Sequence, residues 1–248
     1  MVLLADFLMS KWKEKNRLNG RQFIGSTIVS TPLISKLAKS YDVTCLLSLT
    51  GFKWIAKMLC DHSDLEFIFG GEESFGYMIG DFVRDKDAIS SGVLICEIAS
   101  FLKQKQSDLL EQLDALYLEH GVYKERLITR NKEGLEGIEE IKQLMKAFRS
   151  DLPVKIDGEA VAYVYDYATA TRKNMMDGTL TPIKLTKSDV LVIETIKKTR
   201  IAIRPSGTEP KIKVYISVNN KCEDPKSLAT IKSDLELKIT RITNWLKI

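Results

Sequence analysis

The sequence predicts two halves of different fold class: an α/β domain whose mixed, largely parallel sheet is sandwiched by helices, then an α+β domain with an antiparallel sheet. Three observations lead there. From Phe23 to Phe69 apolar strand-like runs alternate with amphipathic helical runs, the order that builds a parallel sheet. Past Gly121 the pattern changes to separated strands and single helices. Ile212, Val214, Ile216 and Val218 fall on every second residue, the period of a half-buried strand.

In chain order, Met1 to about Lys15 is apolar and helical in pattern, with no capping residue before it and no small-residue cleavage site after it. It reads as a helix entered midway, so residues 1–19 are expected to close a domain that precedes them. Beyond the Asn19-Gly20 turn, Phe23 to Val29 is a strand, and Thr31 and Pro32 open a helix. Val43 to Leu49 is a second strand. Thr50-Gly51 leads into a helix with Phe52, Ile55, Ala56 and Leu59 on one face, and Leu65 to Phe69 is a third strand ending in Gly70-Gly71. Helices over about Asp87 to Lys105 and Ser107 to His120 complete a domain spanning 20–120, with Ser107 as cap and Gly121 just past the end. Over 121–248 the expected elements are a strand at Tyr123 to Thr129, a helix at Leu135 to Arg149 and a strand at Val161 to Tyr165. Two strands joined by a turn at Arg204 follow, then a final helix from about Pro225 that buries Leu228, Ile231, Leu235, Ile239, Ile242 and Leu246.

At 248 residues and 44% hydrophobic content the chain can bury substantial cores. A net charge of +4 spread over 37 basic and 33 acidic residues, mixed along helices, argues against nucleic-acid binding. No run of about 18 apolar residues predicts a membrane span. Cys45, Cys60, Cys96 and Cys222 lie far apart, three of them in apolar runs, and read as reduced core residues of a cytoplasmic protein. Cys60, His62 and Asp64 alternate but are too few for a typical zinc cluster.

Three loops carry chemistry. Arg204-Pro205-Ser206-Gly207-Thr208-Glu209-Pro210 with Lys211 gathers a guanidinium, two hydroxyls and a glycine backbone in one tight turn, which suits an anion; Gly207 can take positive φ and Arg204 can offer a bidentate fork. The same residues also suit an ordinary hairpin loop. Gly70-Gly71-Glu72-Glu73-Ser74-Phe75-Gly76 leaves the third strand with a glycine pair that lets backbone approach a ligand and a carboxylate beside a hydroxyl that suits vicinal sugar hydroxyls, or it is a capped turn with two solvated glutamates. In Gly80 to Asp87, Arg84 or Lys86 can face a phosphate, while Asp87 can simply cap the next helix.

Taken in order, Thr50-Gly51-Phe52-Lys53, Gly71-Glu72-Glu73-Ser74-Phe75-Gly76, Arg84-Asp85-Lys86-Asp87 and Arg204 to Lys211 resemble the third and fourth domains of the α-D-phosphohexomutases, the phosphoglucomutase and phosphomannomutase group. The resemblance covers essentially the whole chain and implies a TATA-box-binding-protein-like fold for the second half. It implies that Glu72 and Ser74 hold the sugar ring, with Thr50, Gly51, Lys53 and Arg84 lining the substrate cleft. Arg204, Ser206, Gly207 and Thr208 would clamp the phosphate not being transferred, with Lys211 and Lys213 beside it, and Lys86 matches a lysine considered for proton transfer. It also implies hexose phosphate as substrate, glucose 1,6-bisphosphate as intermediate, and Mg2+ bound by upstream domains of the same protein.

The family's phosphoserine loop, typically Thr-Ala-Ser-His-Asn-Pro, and its magnesium loop, Asp-Gly-Asp-x-Asp-Arg, have no counterpart in this sequence. The expectation is therefore a C-terminal part that binds sugar and distal phosphate but is inactive alone. The alternatives are a non-catalytic sugar-phosphate binding module, or a parent with phosphopentomutase activity.

Overall fold

The computed structural model describes residues 1–132, 134–207 and 209–246. The chain divides into two compact units, one of Met1–Gly121 with Lys221–Leu228 and one of Val122–Asn220 with Ala229–Ile248.

In the first unit, helix α1 (Val2–Glu14) precedes strand β1 (Gln22–Thr27), helix α2 (Leu33–Ser40), strand β2 (Thr44–Ser48), helix α3 (Phe52–Asp61), strands β3 (Glu66–Gly71) and β4 (Tyr77–Ile79), and helices α4 (Ala88–Gln104) and α5 (Leu109–His120). The sheet order is β2-β1-β3-β4. β1 pairs in parallel with both β2 and β3, and β4 returns antiparallel to β3. Every residue of β1 is buried, as a central parallel strand covered on both faces must be. Phe23, Phe67 and Met78 pack with Phe52, Ile55 and Met58 of α3. A second core gathers Ile24 and Ile68 with side chains of α1, α2, α4 and α5, each fully buried aliphatic contributing about 1.5–3 kcal/mol.

Helix α1, which the sequence reads as the close of a preceding domain, buries Leu4, Ala5, Phe7 and Met9 in the core of the first unit. Two further expectations change. The cap of α5 is Asp108, not Ser107. The Asp108 carboxylate accepts the N–H groups of Leu110 and Glu111 at 2.8 and 2.9 Å, while the Ser107 hydroxyl donates to Glu111. The cysteines are all free thiols, but only Cys222 is buried; Cys60 and Cys96 lie on outward helix faces and Cys45 is half-buried.

The second unit runs β5 (Val122–Asn131), α6 (Gly134–Ser150), β6 (Lys155–Ile156), β7 (Glu159–Asp166), β8 (Thr171–Asn174), β9 (Leu180–Pro182), β10 (Leu191–Thr195), β11 (Arg200–Pro205) and β12 (Lys211–Asn220), then a 3-10 turn (Pro225–Ser227) and α7 (Leu228–Leu246). Its sheet is antiparallel throughout, in the order β5-β12-β11-β10-β7-β8-β9 with β6 on β7. Ile212, Val214, Ile216 and Val218 are all buried, on the face that their alternation marks. Against β7, Glu159 is held between Lys238 of α7 at 2.6 Å and the Thr195 hydroxyl at 2.7 Å. Among the described residues no helix is long and apolar enough to cross a membrane.

Candidate functional site

In the first unit the parallel strands β1, β2 and β3 all end at the same sheet edge, where loops in sheets of this kind carry ligands. Three loops meet there through side chains. The Gly51 N–H, at the end of the β2 loop, donates to Glu72 Oε1 at 2.7 Å. Gly51 has φ +113°, a geometry that L side chains rarely adopt, and that geometry aims its N–H at the carboxylate. Glu73 Oε2 accepts from the Thr27 hydroxyl at 3.1 Å and from Ser30 at 3.4 Å, tying the loop after β1 to the loop after β3. The Glu72 N–H donates to the Gly76 carbonyl at 2.9 Å and closes the turn into β4. Glu72 is buried and Glu73 half-buried, while Ser74 and Phe75 are exposed, so the alternative of a turn with two solvated glutamates does not hold.

The glycine pair serves packing. A Cβ on Gly70 would lie 2.5 Å from Ile55 Cγ2, and one on Gly71 would lie 3.0 Å from Met1 Sδ. These glycines let α3 and the start of α1 close down on β3.

Thr50 and Gly51 therefore adjoin Glu72, and exposed Lys53 stands on the first turn of α3 with its ammonium 5.2 Å from the Trp54 ring centroid. Exposed Lys86 is held near the same sheet edge, since its neighbour Asp87 donates its N–H to the Tyr77 carbonyl and Tyr77 pairs with Gly71. Asp87 caps α4 through the Ile89 N–H at 2.9 Å, and hydrogen bonds from Ser90 and Ile89 hold its carboxyl below the usual range. Arg84 lies elsewhere. It lines a cleft of about 590 Å³ with Arg17, Arg21, Gln22 and Glu66 at the amino ends of β1 and β3, and its Nη1 is 3.8 Å from Cys60 Sγ.

In the second unit the register sets Arg204 of β11 directly opposite Lys213 of β12, which in turn faces Thr129 of β5. Lys211, two residues before Lys213, shares that sheet face and stands opposite Asn131. The Ser206 N–H donates to the Lys211 carbonyl at 2.8 Å and closes the turn, and the Lys132 N–H ties it to β5 through the Pro210 carbonyl at 2.7 Å. Glu209 pairs with Lys211, and that bond, helped by Lys213, keeps its carboxyl below the usual range. Among the described residues neither Arg204 nor Lys213 forms an ion pair. Gly207 is exposed with open space around its Cα, and contrary to expectation it does not use the left-handed region. Thr208 lies outside the described residues.

The sequence reading missed Glu73, Thr27 and Ser30 as the second tie between loops. A signal existed in the hydroxyls clustered at the end of β1, but their partner lies 46 residues on.

A helix-covered, largely parallel sheet followed by an antiparallel sheet, with these loops on their edges, is the architecture of a phosphohexomutase's last two domains. Residues 1–117 match the family model described as phosphoglucomutase/phosphomannomutase, alpha/beta/alpha domain III, and residues 127–224 match phosphoglucomutase/phosphomannomutase, C-terminal domain. The chain belongs to the phosphoglucomutase/phosphomannomutase family. It is 42% identical over 219 residues to a phosphoglucomutase of Staphylococcus haemolyticus, covering 88% of this chain and 39% of the relative. A Staphylococcus aureus phosphoglucomutase is 39% identical over 223 residues, again with 39% of its own length covered. The chain thus spans about two fifths of the length of the curated relatives it matches. Among solved structures, the fold is similar to pp63/parafusin from Paramecium (TM-score 0.62, 19% identity, 98% of this chain and 41% of that one). It is also similar to a phosphoglucomutase/phosphomannomutase family protein from Burkholderia thailandensis (TM-score 0.53, 17% identity, 98% and 41%).

Proposed function

We propose that this chain is the sugar- and distal-phosphate-binding part of a phosphoglucomutase-type enzyme that interconverts hexose 1-phosphate and hexose 6-phosphate. The observation that carries the reading is the Arg204–Lys213 pair. Like charges directly opposite in an antiparallel sheet repel, and a bound dianion converts that repulsion into two attractions. Ser206 and Gly207 add a hydroxyl and an unobstructed backbone to the same turn, and Lys211, its charge shared with Glu209, stands beside it.

In the first unit the Gly51 bond fixes the Glu72 headgroup at the carboxyl end of the parallel strands, and Glu72 in this reading meets the sugar hydroxyls with Ser74 beside it. Thr50 and Lys53 flank that carboxylate, and Lys86 supplies a cation near the same edge. Arg84 has no part in this arrangement and is left out of the sugar site. Mg2+ supplies charge neutralisation for phosphoryl transfer in this reading. In this reading its ligands lie in domains upstream of this chain, and no step here runs through it. The phosphoserine nucleophile belongs there too. The residues in hand bind and orient a sugar phosphate, and the chain alone is inactive.

The test is a titration of glucose 6-phosphate into wild type and Arg204→Ala. Loss of charge-assisted hydrogen bonds of about 1.5–3 kcal/mol weakens binding roughly ten- to a hundredfold, with melting unchanged because Arg204 supports no core. Equal affinities would remove Arg204 from the site and with it the reading.

A further inference from the structure

Phe75 is 85% exposed, more than any other large apolar side chain among the described residues, and its φ is +65°, in the left-handed region that bulky residues avoid. Neither feature follows from packing. The turn that carries it is closed by the Glu72 N–H to the Gly76 carbonyl, and its two carboxylates point inward, Glu72 to the Gly51 N–H and Glu73 to Thr27 and Ser30. Pinned at three points, the turn leaves Ser74 and Phe75 as its exposed tip. A glycine at 75 would adopt this φ without strain and leave no apolar ring in water. Strain of this kind, kept on a loop fixed by its surroundings, points to use by a ligand.

A hexopyranose presents two chemistries, a rim of hydroxyls and faces of C–H groups. Hydroxyls suit Glu72 and Ser74. C–H groups carry partial positive charge and suit the negative face of an aromatic ring. We propose that Phe75 is the apolar platform against which the C–H face of a pyranose ring packs, and that it selects hexopyranose phosphates over pentofuranose phosphates, whose smaller puckered ring offers no such face. This rests on the reading of the Glu72 loop as the sugar site.

The test uses the chain itself, with glucose 1-phosphate and ribose 5-phosphate as probes and saturation-transfer NMR, which detects weak binding. In wild type, saturating protein aromatic protons transfers signal to the ring protons of glucose 1-phosphate. Phe75→Leu keeps bulk without a ring and Phe75→Gly relieves the backbone, and both are expected to lower that transfer clearly. Titrations followed by amide shifts should then give roughly five- to tenfold weaker glucose 1-phosphate binding in both variants, with ribose 5-phosphate unchanged. Phe75→Gly should melt no lower than wild type. If the variants bind glucose 1-phosphate as well as wild type does, the platform is wrong and the Glu72 site stands. Equal weakening for both sugars would overturn the selectivity. If wild type shows no transfer to either sugar phosphate, the underlying sugar-site reading fails as well.

Discussion

Gly51→Ala strikes the junction of the two loops that carry the sugar reading. Gly51 sits at φ +113° and ψ 122°, and a Cβ there would meet only Trp54 Cδ1, at an ordinary 3.7 Å. The cost is therefore torsional, about 1–3 kcal/mol if the backbone stays put. Relief by rotation turns the N–H away from Glu72 Oε1, now 2.7 Å distant, and forfeits a bond to a charged acceptor of about 1.5–3 kcal/mol instead. The two losses largely exclude each other, so the first unit should lose about 1–3 kcal/mol whichever path is taken. Glu72→Gln keeps an acceptor oxygen but removes its charge, at a cost of about 1 kcal/mol. Because both changes act on one bond, the double variant should fall short of their sum by about 0.5 kcal/mol or more. Urea unfolding in a Trp245→Phe background, followed by fluorescence of Trp12 and Trp54 with circular dichroism to separate the two units' transitions, measures all four proteins. Costs that add within about 0.3 kcal/mol, or a neutral Gly51→Ala, would mean that this bond does not join the loops.

Breaking the buried Glu159–Lys238 pair by Glu159→Ala should cost the second unit roughly 3–5 kcal/mol in urea unfolding, whereas replacing both partners with apolar residues of similar volume should cost far less. Asp6 is buried against Tyr41 and Gln112, and burial raises its carboxyl above the usual carboxylate range. The folded state then holds the proton more tightly than the unfolded chain, so stability falls as pH rises through the raised value and is recovered on acidification. Asp6→Asn, which keeps an acceptor for Tyr41, should flatten the part of the urea-midpoint profile that falls above about pH 4; an unaltered profile would clear Asp6 of the effect. Removing one of two opposed cations, Arg204→Ala should also leave the second unit's stability equal or up to about 1 kcal/mol higher, read as a shift in urea midpoint, and a marked loss would show that Arg204 supports the fold.

Much of the fold was legible because burial imposes period. In β12, Ile212, Val214, Ile216 and Val218 fall on every second residue and all meet the core, although Tyr215 and Ser217 between them are buried too, whereas β1 is buried throughout as a central parallel strand yet has only Phe23 and Ile24 as large apolar residues. β10 escaped notice for a related reason: all five of its residues are buried, so no alternation marks it off from a buried helix segment. β4, β8 and β9 have three or four residues each, too short to set up a pattern. At the candidate site, residue types announced Glu72 and Arg204, but their partners depend on register and long-range closure. Nothing local says that Lys213 faces Arg204, that Glu73 reaches Thr27, or that Arg84 is directed to the far end of the sheet. At Gly70 and Gly71 the packing role is hidden because a glycine needed for tight helix packing and one needed for ligand approach look alike in sequence.

The central claim is that this chain supplies sugar and phosphate binding to a mutase whose nucleophile and metal lie in other domains. Turnover of glucose 1-phosphate to glucose 6-phosphate tests it most directly, measured first on the purified chain with Mg2+ and glucose 1,6-bisphosphate. The same assay is then run on the chain joined to the upstream domains of the Staphylococcus haemolyticus relative. No turnover is expected from the chain alone, and clear turnover from the joined protein, lost again on Arg204→Ala. Activity in the chain alone, or a folded joined protein that binds glucose 1,6-bisphosphate without turning over, would contradict it.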